Sequence, residues 1–367
     1  MTKKNHDLHA GEIASADHDQ TPLDDVRVYQ RGGAIRSFIL FIVFVGLMGI
    51  LAVGGGGYIA YGEATRPGPH ETDTVVLLES GSSVAQIAAT LEEAGVLRHP
   101  QLFVASTKIK GVGGALKAGE FQIPAGASTW DLVDLIVDGK SILHYVTVPE
   151  GLTTAQALRI IEANERLEGE ITLSPAEGDL LPETYAFTRG QTRDQIINTM
   201  MKAQDAFIDG AWDDRALELP YSTRDEAIIL ASIIEKETGV AAERERIAAV
   251  FVHRLRKGMR LESDPTIIYG LTGGEPLGRG LRVSELKRET PYNTYRISGL
   301  PPTPIANPGK DAILATLNPA STDDLFFVAD GSGGHAFASS LTEHNRNVAN
   351  WRRIERERQA AAQAAQQ

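Results

Sequence analysis

No cysteine occurs in the 367 residues, which excludes disulfides, thiolate metal sites and cysteine nucleophiles together. Aromatic residues are scarce at 6%, so aromatic-lined ligand clefts are few. Cations are in deficit as well. The 36 Lys and Arg stand against 48 Asp and Glu, and a net charge of −12 has the wrong sign for a protein whose main partner is nucleic acid. Several local signatures are also missing. There is no H-E-x-x-H, and His335, Glu343 and His344 lack a metal-binding spacing. The five glycines of 270–280 come without the G-K-[ST] of a phosphate loop, and no G-x-S-x-G surrounds Ser232. No metal, nucleotide or other cofactor is therefore expected. What is present is 42% hydrophobic and 23% charged, the balance of a globular chain long enough for two folded units.

One long apolar run breaks that pattern. The 25 residues from Ser37 to Tyr61 carry no charge and, as a helix, reach roughly 37 Å, enough to cross a bilayer's hydrocarbon. A cleaved signal peptide would start nearer Met1, so the run reads as a retained transmembrane helix over 37–61. Arg27, Arg31 and Arg36 precede it and only Arg66 lies in the twenty residues after it, which predicts a cytoplasmic N-terminus and an exported remainder. Residues 1–36, polar and aperiodic as far as about 30, read as a disordered cytoplasmic tail. The Pro/Gly-rich 62–73 reads as a stalk, and the low-complexity 359–367 as a second disordered tail.

Three times a glycine is followed two residues later by Ser or Thr and then by an amphipathic run. These are Gly81-Ser82-Ser83, Gly126-Ala127-Ser128 and Gly151-Leu152-Thr153. The hydroxyl residue suits an N-cap and the glycine a turn out of a preceding strand, here Val75–Glu79, Gly119–Ile123 and Tyr145–Val148. The grammar predicts a small α+β module over 74–145, followed by a larger α+β domain over 146–358. In the larger domain the pattern predicts helices over about 225–238, capped by Ser222 or Thr223, over about 242–257, and over roughly 342–358, with a strand at 325–328. The glycine cluster 331–334 reads as a plain turn.

The carboxylates of DEAIILASIIEKET carry the strongest chemical signal. Glu237 has Ile234, Ile233 and Leu230 at i−3, i−4 and i−7, whereas Glu235 has Ser232, Ala231 and Ile228. The two point about 200° apart, so at most one faces a given cleft. A carboxyl set against apolar bulk has its ionised form disfavoured, which suits a general acid and favours Glu237. An ordinary exposed helix end, with either glutamate paired to Lys236 or Arg244, fits the same pattern.

The ordered series LASIIEKET (230–238), IAAVFVHRL (247–255), GMRLESDPT (258–266), LPETY (181–185), YNTY (292–295), GLPP (299–302), IANPG (305–309) and FVADG (327–331) strongly resembles the YceG-like endolytic murein transglycosylases over about 75–355. The resemblance implies one N-terminal anchor, a LysM-like module and a catalytic domain that cleaves within peptidoglycan glycan strands beside the membrane, with peptidoglycan synthases as partners. It implies a catalytic glutamate in the E-x-E-T stretch, assigned to Glu237 with Glu235 as the alternative. Asp264, Tyr269, Tyr292, Asn293 and Tyr295 become candidate sugar contacts, and Glu183 a second candidate carboxylate. A lytic mechanism needs only one carboxyl, because the muramyl 6-hydroxyl is its own nucleophile. A hydrolytic muramidase would need Glu183 or Asp264 to activate water. A non-catalytic peptidoglycan-binding scaffold is the third reading.

Overall fold

The computed structural model describes residues 32–364, and the chain divides after Glu63. The first part is one helix, α1 (Gly32–Thr65), whose apolar run Ile35–Thr65 is long enough to cross a membrane. Phe38, Leu40, Phe44, Leu51 and Ile59 all stand exposed along it, as a lipid-facing helix requires. The predicted span of 37–61 lies inside this helix. The 1–30 segment, with Arg27, lies outside the described residues, as does Arg31.

The small module runs β1 (Thr74–Leu78), α2 (Val84–Glu93), α3 (Pro100–Lys110), β2 (Gly119–Ile123) and α4 (Thr129–Asp138). Its two strands pair antiparallel, Thr74 opposite Ile123 and Leu78 opposite Gly119. Leu91, Phe103, Phe121 and Leu132 fill the core. The segment read as a stalk is not free chain. Gly68 and His70 exchange backbone hydrogen bonds with Gly126, Arg98 donates to the Pro67 carbonyl, and Asp73 accepts from Gln122 and Ala125. The linker's polar groups are satisfied by the module, so it lies on it.

A second, similar unit follows: β3 (Leu143–Thr147), α5 (Thr154–Glu162), β4 (Thr184–Thr188) and α6 (Arg193–Trp212). β3 pairs antiparallel with β4, Leu143 opposite Thr188, over a core of Val146, Ile161, Phe187 and Met200. The expected boundary at 145/146 therefore cuts a strand, because β3's partner lies about forty residues further along the chain. The predicted turn chemistry holds. Ser83, Ser128 and Thr153 form reciprocal capping boxes with Gln86, Asp131 and Gln156, behind Gly81, Gly126 and Gly151 in the left-handed region. A fourth copy at Gly190-Gln191-Thr192, boxed with Gln195, escaped the sequence reading. Each such cap is worth about 1 kcal/mol.

The third core is helical: α7 (Arg224–Glu237), a single 3₁₀ turn (Ala241–Glu243), α8 (Arg244–Arg256), α9 (Asp264–Thr272), α10 (Val283–Lys287) and α11 (Lys310–Leu317). Thr223 caps α7 with Glu226, and every residue from Ala227 to Ile234 is buried. A helix apolar on all sides belongs in the middle, and α7 packs against α6, α8 and α11. The hairpin of β5 (Phe326–Ala329) and β6 (His335–Ala338) turns through the glycine cluster, and α12 (Leu341–Ala364) closes the described chain. α12 continues to Ala364 where a disordered tail from 359 was expected, because Ala and Gln are good helix formers. The architecture is mixed helix and strand, the α+β class expected.

Candidate active site

The last turn of α7 sends its two glutamates to different neighbours, as their angular separation requires. Glu235 Oε2 accepts from the Gly309 N–H at 3.1 Å. It sits with Glu150, whose carboxyl is raised above the usual range by burial first and by Glu235 second. Glu183 belongs to this side as well, paired with Lys310 Nζ at 2.7 Å.

Glu237 ends α7 on the other side, half-buried, and its Oε1 accepts from Ser263 Oγ at 2.5 Å. Ser263 is held firmly: its N–H donates to Thr294 Oγ1 at 2.9 Å and its carbonyl accepts from Thr266 Oγ1 at 2.7 Å. Ser263 stands at the N-cap of α9 yet makes no capping bond with its side chain, which is spent on Glu237 instead. Burial pushes the Glu237 carboxyl up to about 7, with the Asp264 charge adding to the rise. The Ser263 hydrogen bond, His335 and Arg254 pull the other way. The negative end of the α7 dipole also disfavours the ionised form.

Two further elements supply groups that act on Glu237. Arg254 on α8 donates to the carbonyls of Leu325, Arg260 and Leu261 and, at 3.1 Å, to Glu262 Oε2. His335, at the start of β6, is held through Nδ1 and its N–H by the two oxygens of Glu243, at 2.8 and 2.9 Å.

The profile of the YceG-like family matches residues 76–350, three-quarters of the chain. This chain belongs to the YceG-like family. The Bacillus subtilis (strain 168) protein named endolytic murein transglycosylase is 30% identical over 326 residues, spanning 79% of this chain and 89% of its own. A Streptococcus pneumoniae (strain D39) protein of the same name is 28% identical over 369 residues, spanning 86% of this chain and 65% of its own. A yceG-like protein of Listeria monocytogenes, solved at 2.6 Å, is 30% identical and matches 75% of this chain and 98% of its own with a TM-score of 0.47. The matched region of this YceG-like chain holds both glutamate neighbourhoods and leaves α1 outside.

The expected sugar contacts divide into three. Asp264 and Tyr295 stand near Glu237, joined by a 2.8 Å bond from the tyrosine hydroxyl to Oδ1. Tyr269 and Tyr292 form a separate pair, ring centroids 5.1 Å apart, with hydroxyls on Glu177 and Thr303. Asn293 is a correction. It is fully buried, and its amide donates to the carbonyls of Glu285, Leu286 and Arg288, so it staples a loop and offers nothing to a sugar. Asp264-Pro265 begins α9, with proline in the first turn, where its missing N–H costs nothing.

A cleft of about 440 Å³ is lined by Gly151, Thr153, Lys236, Pro265, Ile268 and Tyr269, with neither Glu235 nor Glu237 in its wall. Lys236 is tied to the Gly151 carbonyl at 3.0 Å. Among the described residues no group of three or more His, Cys, Asp or Glu side chains is arranged to hold a metal. Sequence reasoning passed over Ser263, Arg254 and Glu243. Ser263 had a usable signal: a serine before Asp-Pro marks a helix start whose hydroxyl is free to act elsewhere.

Proposed function

We propose that this protein is a membrane-anchored endolytic lytic transglycosylase that cuts the MurNAc–GlcNAc bond within peptidoglycan strands and leaves 1,6-anhydro-MurNAc ends. The observation that carries the reading is a single carboxyl, Glu237, held near neutrality by burial and met by the Ser263 hydroxyl. The neutral acid gives its proton to the glycosidic oxygen as the bond from the muramyl C1 breaks. The muramyl 6-hydroxyl then bonds to C1 and returns its proton to the Glu237 carboxylate, which restores the starting state. The nucleophile is intramolecular and already at high effective concentration, so no enzyme nucleophile takes part. Tyr295, Asp264 and the Tyr269–Tyr292 pair provide hydrogen bonds and flat faces for neighbouring sugars.

A hydrolytic muramidase is the second reading, favoured only by Asp264, whose charge acts on Glu237 while its Oδ1 accepts from Tyr295. Digestion of purified peptidoglycan with product masses read by liquid chromatography separates the two. Lytic ends are one water lighter than hydrolysed ends, and hydrolysed ends as the main product would sink the lytic mechanism.

In the same reading α1 anchors the chain in the inner membrane with its N-terminus cytoplasmic, and the strand–helix–helix–strand module is a LysM-like glycan contact. Cutting close to the membrane limits strand length and puts peptidoglycan synthases among the partners. The absence of native cysteine makes the topology simple to test. In cells whose inner membrane is left intact while any outer layer is permeabilised, an impermeant maleimide is expected to label Ser332→Cys and to spare Ser15→Cys. The reverse pattern would invert the orientation.

A further inference from the structure

The hydroxyls of Tyr269 and Tyr292 reach Glu177 and Thr303, and both of those residues also line a second cavity, of about 540 Å³. It lies between α6, the start of α7 and residues 302–304. Its wall is apolar at Ile208 and Ile229 but is interrupted by Gln204, which is only 3% exposed. Neither Nε2 nor Oε1 of that amide has a hydrogen-bond partner. Burying a polar group without a partner is unfavourable, so this amide is a standing demand for a ligand that both donates and accepts.

The surrounding charge says which kind. Asp205 and Asp225 are exposed in the same cavity and pair with no cation among the described residues. Glu177 closes another side, and Arg224 is already held by Asp209 at 2.9 Å. The cavity is thus acidic, partly apolar and furnished with one unsatisfied amide.

We propose that it receives an aliphatic ammonium group carried on a short peptide. The ammonium donates to Gln204 Oε1 and to the Asp205 and Asp225 carboxylates, and a peptide carbonyl accepts from Gln204 Nε2. The alkyl stem lies on Ile208 and Ile229. The proposal rests on the peptidoglycan reading, in which the strand carries stem peptides with a diamino residue. The reach is sufficient. Ile229 and Glu237 are eight residues apart on α7, about 12 Å along its axis, while three extended peptide residues span about 10 Å before the side chain begins. The consequence is selectivity: a cross-linked stem has its amine acylated, uncharged and bulkier, so the cavity favours strands whose amines are free.

The test is calorimetric titration of the full chain in detergent micelles with N-acetyl-L-alanyl-γ-D-glutamyl-L-lysyl-D-alanine, whose lysine carries the one free amine, and with the same peptide acetylated at the lysine amine as well. The free amine is expected to bind on the order of 10-fold tighter, and Gln204→Leu and Asp205→Asn are each expected to erase most of that preference. Equal binding of the two peptides, no binding of either, or a preference that survives both substitutions overturns the proposal. Gln204→Leu removes an unsatisfied amide and is expected to unfold no earlier than wild type. Should it fail to fold, the exposed Asp205→Asn decides. Cleavage of peptide-free glycan by the wild type is scored in parallel. Its failure counts against the glycosidic reading alone, because peptide preference is read without turnover.

Discussion

Glu237→Gln is expected to lower turnover on peptidoglycan by about 10²–10⁴-fold while making the folded chain more stable at pH 8. Gln keeps the shape and still accepts from Ser263, so the substitution removes the proton and little else. The stability gain follows from linkage. Burial raises the wild-type carboxyl from the ordinary 4.5 to about 7, so between those values the folded chain holds a proton that the unfolded chain has released. Wild-type stability therefore falls as pH rises from about 4.5 to 7 and levels off above, by up to about 2–3 kcal/mol. The Gln variant lacks this loss. Denaturant unfolding should show the two chains nearly equal at pH 4 and the Gln variant ahead at pH 8. A deficit for that variant that is the same at both pH values would make Glu237 a structural residue. The same acid sets the pH profile of activity, which should fall as pH rises through about 7 while the acid loses its proton. Ser263→Ala removes a bond that favours the ionised form and should move that falling limb to higher pH. A downward move would mean that the hydroxyl serves the protonated state.

Much of this site was legible because its signals are local. The apolar neighbours of Glu237 and its offset of about 200° from Glu235 need only helix geometry, and the glycine–hydroxyl pairs announce their own caps. What was not legible depends on partners far along the chain. The expected boundary at 145/146 fell inside β3, and only the pairing with β4 puts the whole strand at the start of the second unit. Residues 67–73 read as linker because nothing in their composition says that Gly126 and Ala125 will meet them. Asn293 offered the chemistry of a sugar contact, and only the fold turned that amide onto three carbonyls. Arg254 stands with Arg256 and Lys257 in a run of cations at the end of α8, and nothing local marks it as the one that is buried and forked across several carbonyls.

Arg254→Met should be the most destabilising single change near the site. The guanidinium satisfies the carbonyls of Leu325, Arg260 and Leu261, pairs with Glu262, and lies over the Phe326 ring at 5.2 Å. Met fills much of the volume but leaves those acceptors without their donor and Glu262 without its cation. Removing one partner from such a buried charged network costs about 3–5 kcal/mol, a fall in melting temperature on the order of 10 °C for a unit of this size. Activity should suffer beyond the loss of folded chain. Glu262, next to Ser263, sits in the left-handed backbone region at φ 55°, where a non-glycine residue is held only by its surroundings. Releasing it frees the loop that presents Ser263 to Glu237, and the Glu237 carboxyl also loses a cation that favoured ionisation. Arg254→Lys keeps the charge and loses the fork, so it should recover part of the pH profile and little of the stability. Full recovery of stability by Lys would show that charge alone was needed and that the three-carbonyl clamp was incidental.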